Sequence, residues 1–217
     1  MKKIMMTLAA VAVAATMNAQ GYIGGSLGFS SEKTNNGTVG TAATSEKTVT
    51  GFNFNPEIGY KLDDKMAVGV VLGFGFDKTK TELVGTAATT AAAAGQEISS
   101  EVKTTTFSLK PYLRYQVLTF GKANIFVDGG LNFALESAKD MKPAMDLGLF
   151  VQPGVAFDIN EKWSIVAKLE NMFTLGYHKS AVADVDGAPD PATDFNCRLA
   201  AGGFTTGSLR FGVYYNF

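Results

Sequence analysis

The end of the chain carries the pattern that most constrains the fold. In residues 209–217 every odd position is apolar, and the even positions hold Arg210, Gly212, Tyr214 and Asn216. Because successive side chains of an extended strand point to opposite faces, this segment has one apolar face and one more polar face. A soluble protein seldom ends on an exposed row of aromatic side chains, whereas a membrane-spanning strand presents such a row to lipid.

Seven further segments alternate in the same way. They lie within residues 23–30, 52–62, 66–76, 107–115, 124–135, 146–158 and 163–175. One alternating segment is weak evidence, but eight that share one apolar face are typical of a membrane barrel. The sequence therefore predicts an all-β protein, an eight-stranded antiparallel up-and-down transmembrane β-barrel.

The connections between these segments alternate in length. Residues 31–49, 79–103, 136–144 and 177–204 form long connections, and residues 63–65, 116–122 and 158–162 form short ones. In bacterial barrels the short turns are periplasmic and the longer loops are extracellular. The pattern predicts both chain ends on the periplasmic side and four loops outside.

The N-terminus has the features of an export signal. Lys2 and Lys3 precede an apolar stretch from Ile4 to Ala15, and a cleavage site follows at Ala19. We expect a removed signal peptide over residues 1–19 and a barrel domain over residues 20–217. The apolar stretch is too short for a membrane-spanning helix.

A short repeat marks the descending strands. Pro56, Pro111 and Pro153 each stand four residues before an aromatic side chain, and Phe211 takes the proline position in a fourth copy. Because proline removes a hydrogen bond from a strand, we expect each proline to mark a bulge or kink that helps a small barrel to curve.

The aromatic positions of this repeat, together with Trp163, predict one girdle at the periplasmic interface. Its expected members are Tyr60, Tyr115, Phe157 and Trp163. Their amphipathic or apolar rings suit the headgroup level of a bilayer.

These features together resemble the OmpA/OprF-like small outer-membrane β-barrels, and the resemblance covers essentially all of residues 20–217. It implies location in the outer membrane, contact with its lipid and lipopolysaccharide, and no cofactor. It also implies that Phe211, Tyr215 and Phe217 form the signal read by the barrel-assembly machinery. No residues follow strand eight for the peptidoglycan-binding domain of the longer relatives, so we do not expect that domain.

The inward-facing charges of the predicted strands gather at one depth. They are Glu57, Lys110, Asp128, Lys168, Glu170 and Arg210. Because buried charges must pair, we expect Lys110 beside Asp128, Glu170 beside Arg210, and Glu57 with Lys168 closing the network across the lumen. The network is interpreted as a structural plug, and the alternative is a gate in a small ion or solute channel.

An enzyme is a weaker alternative. His178 and Ser180 loosely resemble the His-x-Ser pair of outer-membrane lipid A deacylases, but their parity places them inward or in a loop. No orienting acid follows at a convincing spacing. The aspartates of the fourth loop lack a calcium-loop signature, so no metal site is predicted.

Composition limits the remaining classes. The formal net charge is -1, which gives no basic surface for nucleic acid. The single Cys197 is expected to be an unreactive loop residue. A soluble eight-stranded ligand-binding barrel also fits the strand number, but it would turn the apolar face inward. The aromatic side chains share a face with Trp163, which favours lipid outside; the partner of the loops is unknown.

Overall fold

The structure is a computed structural model that describes residues 20–36, 45–83, 99–170, 172–184, 190–199 and 209–217. The predicted signal peptide lies outside these residues, as do the centres of the first two predicted long loops. None of the described residues forms a helix long and apolar enough to cross a membrane.

The described chain is almost entirely β-strand. The strands are β1 (Gly21–Asn36), β2 (Ser45–Lys61), β3 (Met66–Leu83), β4 (Ser99–Phe120), β5 (Ala123–Ala138), β6 (Met141–Lys142), β7 (Ala144–Asp158), β8 (Trp163–Leu169), β9 (Phe173–Lys179), β10 (Val182–Ala183), β11 (Thr193–Leu199) and β12 (Leu209–Asn216). Strands β8 and β9 together occupy the seventh position of the barrel, and β11 and β12 occupy the eighth. The short β6 and β10 pair with each other beside the loops.

Antiparallel pairing closes the barrel. Neighbours along the chain pair from β1 through β5 and on to β7, which pairs with both β8 and β9. Strand β12 pairs with β8 on one side and with β1 on the other, from Tyr22 opposite Asn216 to Leu27 opposite Phe211. The backbone N–H of Phe217 donates to the Gly21 carbonyl at 3.0 Å, so the residue after β12 is tied to the start of β1. The predicted eight-stranded barrel is confirmed.

Parity separates the two faces of the wall as the sequence predicts. Large apolar side chains such as Phe29, Leu131 and Phe211 are exposed on the outer surface. Polar and charged side chains such as Glu57 and Asp128 are buried inside. An apolar exterior around a polar interior is the opposite of a soluble ligand-binding barrel, so that alternative is wrong.

Short turns close one end of the barrel. The turn over residues 62–65 is held by Asp63, whose Oδ1 accepts the N–H groups of Lys65 and Met66. Asn160 does the same for the N–H groups of Lys162 and Trp163. Between β4 and β5 the turn is only residues 121–122, where Gly121 adopts a φ of 58° that suits glycine. The end that carries these turns is called the short-turn end, and the opposite one the long-loop end.

The strands at the long-loop end are longer than predicted. Residues 136–144 are not a long loop, because β5 continues to Ala138 and turns at Asp140 with a φ of 59°. The first predicted loop is largely a hairpin, in which Ser31 to Asn36 pair with Thr50 to Ser45. The backbone ladder continues there between strands that carry mostly Lys, Glu and Thr side chains. Strands exposed on both sides need no apolar face.

No bulge accompanies Pro56 or Pro111, so the bulge prediction is wrong there. Pairing keeps one register past Pro56 between β2 and β3 and past Pro111 between β4 and β5. Pro153 does lie near an irregularity, because the pairing of β7 shifts by two residues between its contact with β9 and its contact with β8. The only register shift within β4 and β5 falls at Val117, between Gln116 and Leu118. Pro56 and Pro111 therefore leave the register of their strands unchanged.

Candidate functional site in the barrel lumen

Glu57 stands at the centre of the lumen. It projects from β2 and its side chain is 2% exposed. Its Oε2 lies 2.6 Å from the Lys168 ammonium on β8, across the lumen. Its Oε1 accepts from the Arg114 guanidinium on β4 at 3.0 Å. Glu57 and Lys168 thus make the contact that the sequence predicts.

Asp128 supplies the second carboxylate of this layer. Arg114 donates to it through two nitrogens, Nε to Oδ1 at 2.6 Å and Nη2 to Oδ2 at 2.8 Å. The Lys168 ammonium is also 3.2 Å from Asp128 Oδ2. Two cations and two carboxylates therefore balance, and each charge contacts two opposite charges. A two-pronged arginine–carboxylate contact fixes geometry as well as adding energy.

Three tyrosine hydroxyls complete the layer. Tyr112 donates to Glu57 Oε1, and Tyr214 donates to both Glu57 oxygens at 3.0 Å. The hydroxyls of Tyr22 and Tyr112 are 2.6 Å apart. Because Tyr112 gives its proton to Glu57, Tyr22 is the donor in this pair. Together with the four charged residues these tyrosines are called the lumen plug: Tyr22, Glu57, Tyr112, Arg114, Asp128, Lys168 and Tyr214.

Aromatic rings surround the central cation. The Arg114 guanidinium carbon lies 3.9 Å from the ring centre of Phe126. It also lies within 5.5 Å of the rings of Tyr22, Tyr112 and Tyr214. Ring faces stabilise a cation, and the effect grows where water is excluded. Arginine suits this position because its guanidinium can stack on rings while its N–H groups bind carboxylates.

A second cluster lies nearer the long-loop end. Glu170 contacts the Lys110 ammonium at 3.4 Å and the Arg210 guanidinium at 3.0 Å. The contact of Glu170 with Arg210 is as predicted. The predicted contact of Lys110 with Asp128 is wrong, because Lys110 binds Glu170 and Asp128 binds Arg114 and Lys168. This group of Lys110, Glu170 and Arg210 is called the upper triad.

Register explains the error. In the β4–β5 pair Arg114 lies directly opposite Asp128. Lys110 comes four residues earlier in β4 and therefore lies nearer the long-loop end. Counting depth from the strand ends ignores the stagger that strands of a closed barrel must have. The two-residue turn at 121–122 would pair Arg114 with Gly129, and the bulge at Val117 shifts the pairing by one residue. The inward parity of Arg114 was visible in the sequence, but its central position was not.

Burial makes this layer an electrostatically demanding one. The side chains of Glu57, Asp128 and Lys168 are 0–4% exposed, and that of Arg114 is 11% exposed. Removing such an ion from water costs on the order of several kcal/mol unless opposite charges and hydrogen bonds compensate. The plug meets this condition through its multiple contacts.

Two cavities lie on either side of the plug. Towards the long-loop end a cavity of about 430 Å³ is lined by Lys110, Asn132, Asp146 and His178 among others. Towards the short-turn end a cavity of about 300 Å³ is lined by Tyr22, Arg114, Tyr214 and their neighbours. The plug is the layer between these two spaces.

The histidine–serine pair of the enzyme alternative does not form a nucleophile and base. His178 points into the lumen, and its Nδ1 lies 2.7 Å from Asp146 Oδ1 on β7. The structure thus supplies an acid that sequence spacing did not indicate. The Ser180 hydroxyl instead donates to the Ala192 carbonyl at 3.2 Å. Among the described residues, no three His, Cys, Asp or Glu side chains are arranged to hold a metal ion.

The predicted interface aromatics lie on the outer surface near the short-turn end. Tyr115, Phe157 and Trp163 are 45–50% exposed there, and the Tyr60 hydroxyl donates to Gln20 Oε1 at 2.6 Å. Cys197 is exposed on β11 and is therefore a strand residue, not the predicted loop residue.

The residues of the predicted assembly signal extend this row of rings. Tyr215 packs against Trp163 and Phe217, with ring centres 5.0 and 5.1 Å apart. Phe211 is exposed on the same face of β12, 59% by relative area. The contacts place the end of the chain in the wall of the closed barrel.

Three solved structures are similar to this chain: OprG from Pseudomonas aeruginosa (12% identity, TM-score 0.49, 91% of this chain and 96% of that chain), Neisserial surface protein A (14%, 0.40, 91% and 97%) and outer membrane protein W from E. coli (15%, 0.40, 91% and 97%). A search of curated protein sequences gives no match. A family model described as outer membrane protein beta-barrel domain matches residues 4–217. Because that match spans nearly the whole sequence, the chain belongs to the outer membrane protein beta-barrel family and is a protein of the outer membrane.

Proposed function

We propose that this protein is a structural or interaction barrel whose polar lumen is filled and which displays its long loops outside the cell. The lumen plug carries the proposal. Its charged members come from four different strands, and its tyrosines add two more, so the layer crosses the lumen from wall to wall. An eight-stranded barrel is just wide enough for side chains to fill. The proposal contains no catalytic step.

Conductance in a planar lipid bilayer tests this function. We expect wild-type protein to insert without a steady ionic current, because the charges of the plug are fully paired with one another. Lys78→Ala removes a lysine from the exposed part of β3. It is the matched control for Lys168→Ala, which removes a lysine inside the lumen. A steady wild-type current through single molecules would contradict the filled-lumen proposal.

A small ion or solute channel is the second candidate. The observation in its favour is that one cavity lies on each side of the plug, so side chains do not fill the lumen along its whole length. If the plug and the upper triad beside it form a gate, Lys168→Ala and Arg210→Ala should raise the frequency or size of openings that wild type already shows. If wild type shows none and only the variants conduct, the plug is a structural filling.

We further propose the partners that the chain needs to reach its place. The exposed outer side chains fit outer-membrane lipid and lipopolysaccharide, and Phe211, Tyr215 and Phe217 fit the barrel-assembly machinery. Because Phe217 also binds Gly21 through its backbone, assembly and stability must be separated. We expect Phe217→Ala to lower outer-membrane insertion in cells while the purified variant still refolds in detergent. Equal insertion of variant and wild type would contradict an assembly role.

A further inference from the structure

Two neighbouring glycines leave a bare patch in the wall of the cavity above the plug. Across four neighbouring strands, Asn132 pairs with Gly148, Gly148 with Gly176, and Gly176 with Asn196. All four residues line the cavity. A Cβ on Gly148 would come within 2.6 Å of the Leu175 carbonyl oxygen, and one on Gly176 within 2.5 Å of the Leu147 carbonyl oxygen. The wall is bare here because the strands approach too closely for side chains. The space over these two glycines is called the glycine niche.

Polar groups surround the niche. The row one step towards the long-loop end holds Asp146, His178 and Asp194, each opposite the next on neighbouring strands. The side chains of His178 and Asp146 are 34% and 41% exposed, so this side is open to solvent. The strand spacing of about 4.8 Å puts the α-carbons of the two aspartates about 10 Å apart. A small molecule that enters from this side can therefore reach both aspartates across His178, which lies between them.

The electrostatic balance of the niche is negative. Glu136 lies near enough to Asp146 and Asp77 for their charges to act on one another, and Asp194 adds a fourth carboxylate at this level. The His178 Nδ1 lies 2.7 Å from Asp146 Oδ1. Lys110 and Arg210 contact Glu170, and Arg210 also acts on Asp77. Among the side chains that the structure describes, at most three cations at this level, Lys110, Arg210 and His178, thus face five carboxylates: Asp77, Glu136, Asp146, Glu170 and Asp194.

The niche also contains hydrogen-bond acceptors that lack a close donor. The Asn132 side-chain oxygen is buried and has no hydrogen-bond partner among the described residues. Asp194 makes only a long contact, 3.4 Å from the Asn196 amide nitrogen, among the hydrogen bonds of the described side chains. A buried acceptor without a donor is costly, so a molecule that brings N–H groups would be stabilised here.

We propose that the glycine niche binds a small organic cation that carries primary amine groups. Its ammonium groups donate to Asp146, Asp194 and the Asn132 amide oxygen, and its carbon chain lies flat against Gly148 and Gly176. The plug below stops the molecule from passing deeper. The site is independent of the proposed plug function, because binding from the long-loop end does not require an open lumen.

Calorimetric titration of the purified barrel in nonionic detergent at low ionic strength tests the proposal. The probe is 1,4-diaminobutane, and 1,4-butanediol and succinate are the matched neutral and anionic probes. We expect saturable binding of the diamine alone. In Asp146→Asn/Asp194→Asn we expect binding to weaken by about tenfold or more, because two charged hydrogen-bond acceptors are lost. The backbone amide signals of Gly148 and Gly176 should shift in NMR spectra on titration.

The matched control removes two carboxylates from the same end of the barrel but outside the niche. In Asp140→Asn/Asp184→Asn we expect the affinity to stay within about twofold of wild type, since exposed charges act weakly at a distance. Binding that is absent, that weakens equally in both double variants, or that 1,4-butanediol reproduces would overturn the proposal. Heat-modifiable migration in gels checks folding of each variant, and Asp194→Asn alone replaces the double variant if that one fails to fold.

Discussion

Two ion pairs of this barrel have the same length and opposite surroundings. Lys168 and Glu57 meet at 2.6 Å in the lumen, where their side chains are 4% and 2% exposed. Lys80 and Glu82 meet at 2.6 Å above the apolar surface of β3, where their side chains are 47% and 40% exposed. The first pair belongs to a layer in which every charge has several partners, whereas the second can exchange its partner for water.

This contrast teaches that distance alone does not measure what an ion pair contributes. In the lumen, breaking a pair leaves a charge that water cannot reach, so the loss is large. On the exposed strands, water and salt replace the partner, so the loss is small. Strand β4 carries both kinds of charge, the exposed Glu101 at one end and the buried Arg114 in the lumen.

Breaking the buried layer should have the largest effect. Glu57→Gln keeps the shape of the side chain but leaves Lys168 and Arg114 with one carboxylate between them. We expect the free energy of unfolding to fall by about 3–5 kcal/mol. Reversible urea unfolding in lipid vesicles measures it. Glu82→Gln is the matched control, and equal effects of the two substitutions would erase the distinction between the two environments.

Displacing a tyrosine should have the next largest effect. A Cβ on Gly59 would come within 2.1 Å of the Tyr22 ring, so Gly59→Ala pushes away the donor to Tyr112. We expect a loss of about 1–3 kcal/mol in the free energy of unfolding, as for overpacking in cores. Gly129→Ala, which meets nothing closer than 3.9 Å, is the control. If both variants unfold alike, the tyrosine shell does not hold the plug together.

Removing both members of the buried pair should cost much less than removing one. In Glu57→Met/Lys168→Met, Arg114 and Asp128 remain paired and no charge is left over. Replacing a buried pair with apolar side chains is often close to neutral. We expect the same urea measurement to show that the double variant recovers most of the loss seen with Glu57→Met alone. Additive losses would mean that the two side chains act independently.

Breaking an exposed ion pair should change the free energy of unfolding least. The Lys78 ammonium bonded to Glu101 at 2.8 Å holds the pKa of that carboxyl below its usual range. A carboxyl whose pKa is lower in the folded than in the unfolded chain stabilises the folded state at pH values above the unfolded pKa. This contribution is lost as the pH falls through the folded pKa. We expect Lys78→Met to return the Glu101 pKa towards its ordinary value in a carboxyl NMR titration, with no measurable change in unfolding. A clear loss of stability would show that exposed pairs also matter.

The sequence predicts the wall of this barrel better than its contents. Alternation identified the outward and inward faces, and the six charges predicted for the lumen pair with one another or with Arg114. The pairing of Lys110 was wrong, and the position of Arg114 at the centre was missed, because contacts across the lumen depend on the stagger of strands. That stagger shifts at Val117, and no turn or composition signal there announces a bulge.

The sequence by itself determined the period of two and the side of the wall that each residue faces, because strand geometry forces successive side chains apart. The short turns at Asp63 and Asn160 also follow from local sequence. Only the tertiary structure decided which charges meet, that Tyr112 and Tyr214 bind Glu57 while Tyr22 binds Tyr112, and that Gly148 and Gly176 form a bare patch beside Asp146 and Asp194. Those contacts join residues far apart in the chain, and closing the barrel sets the register that brings them together.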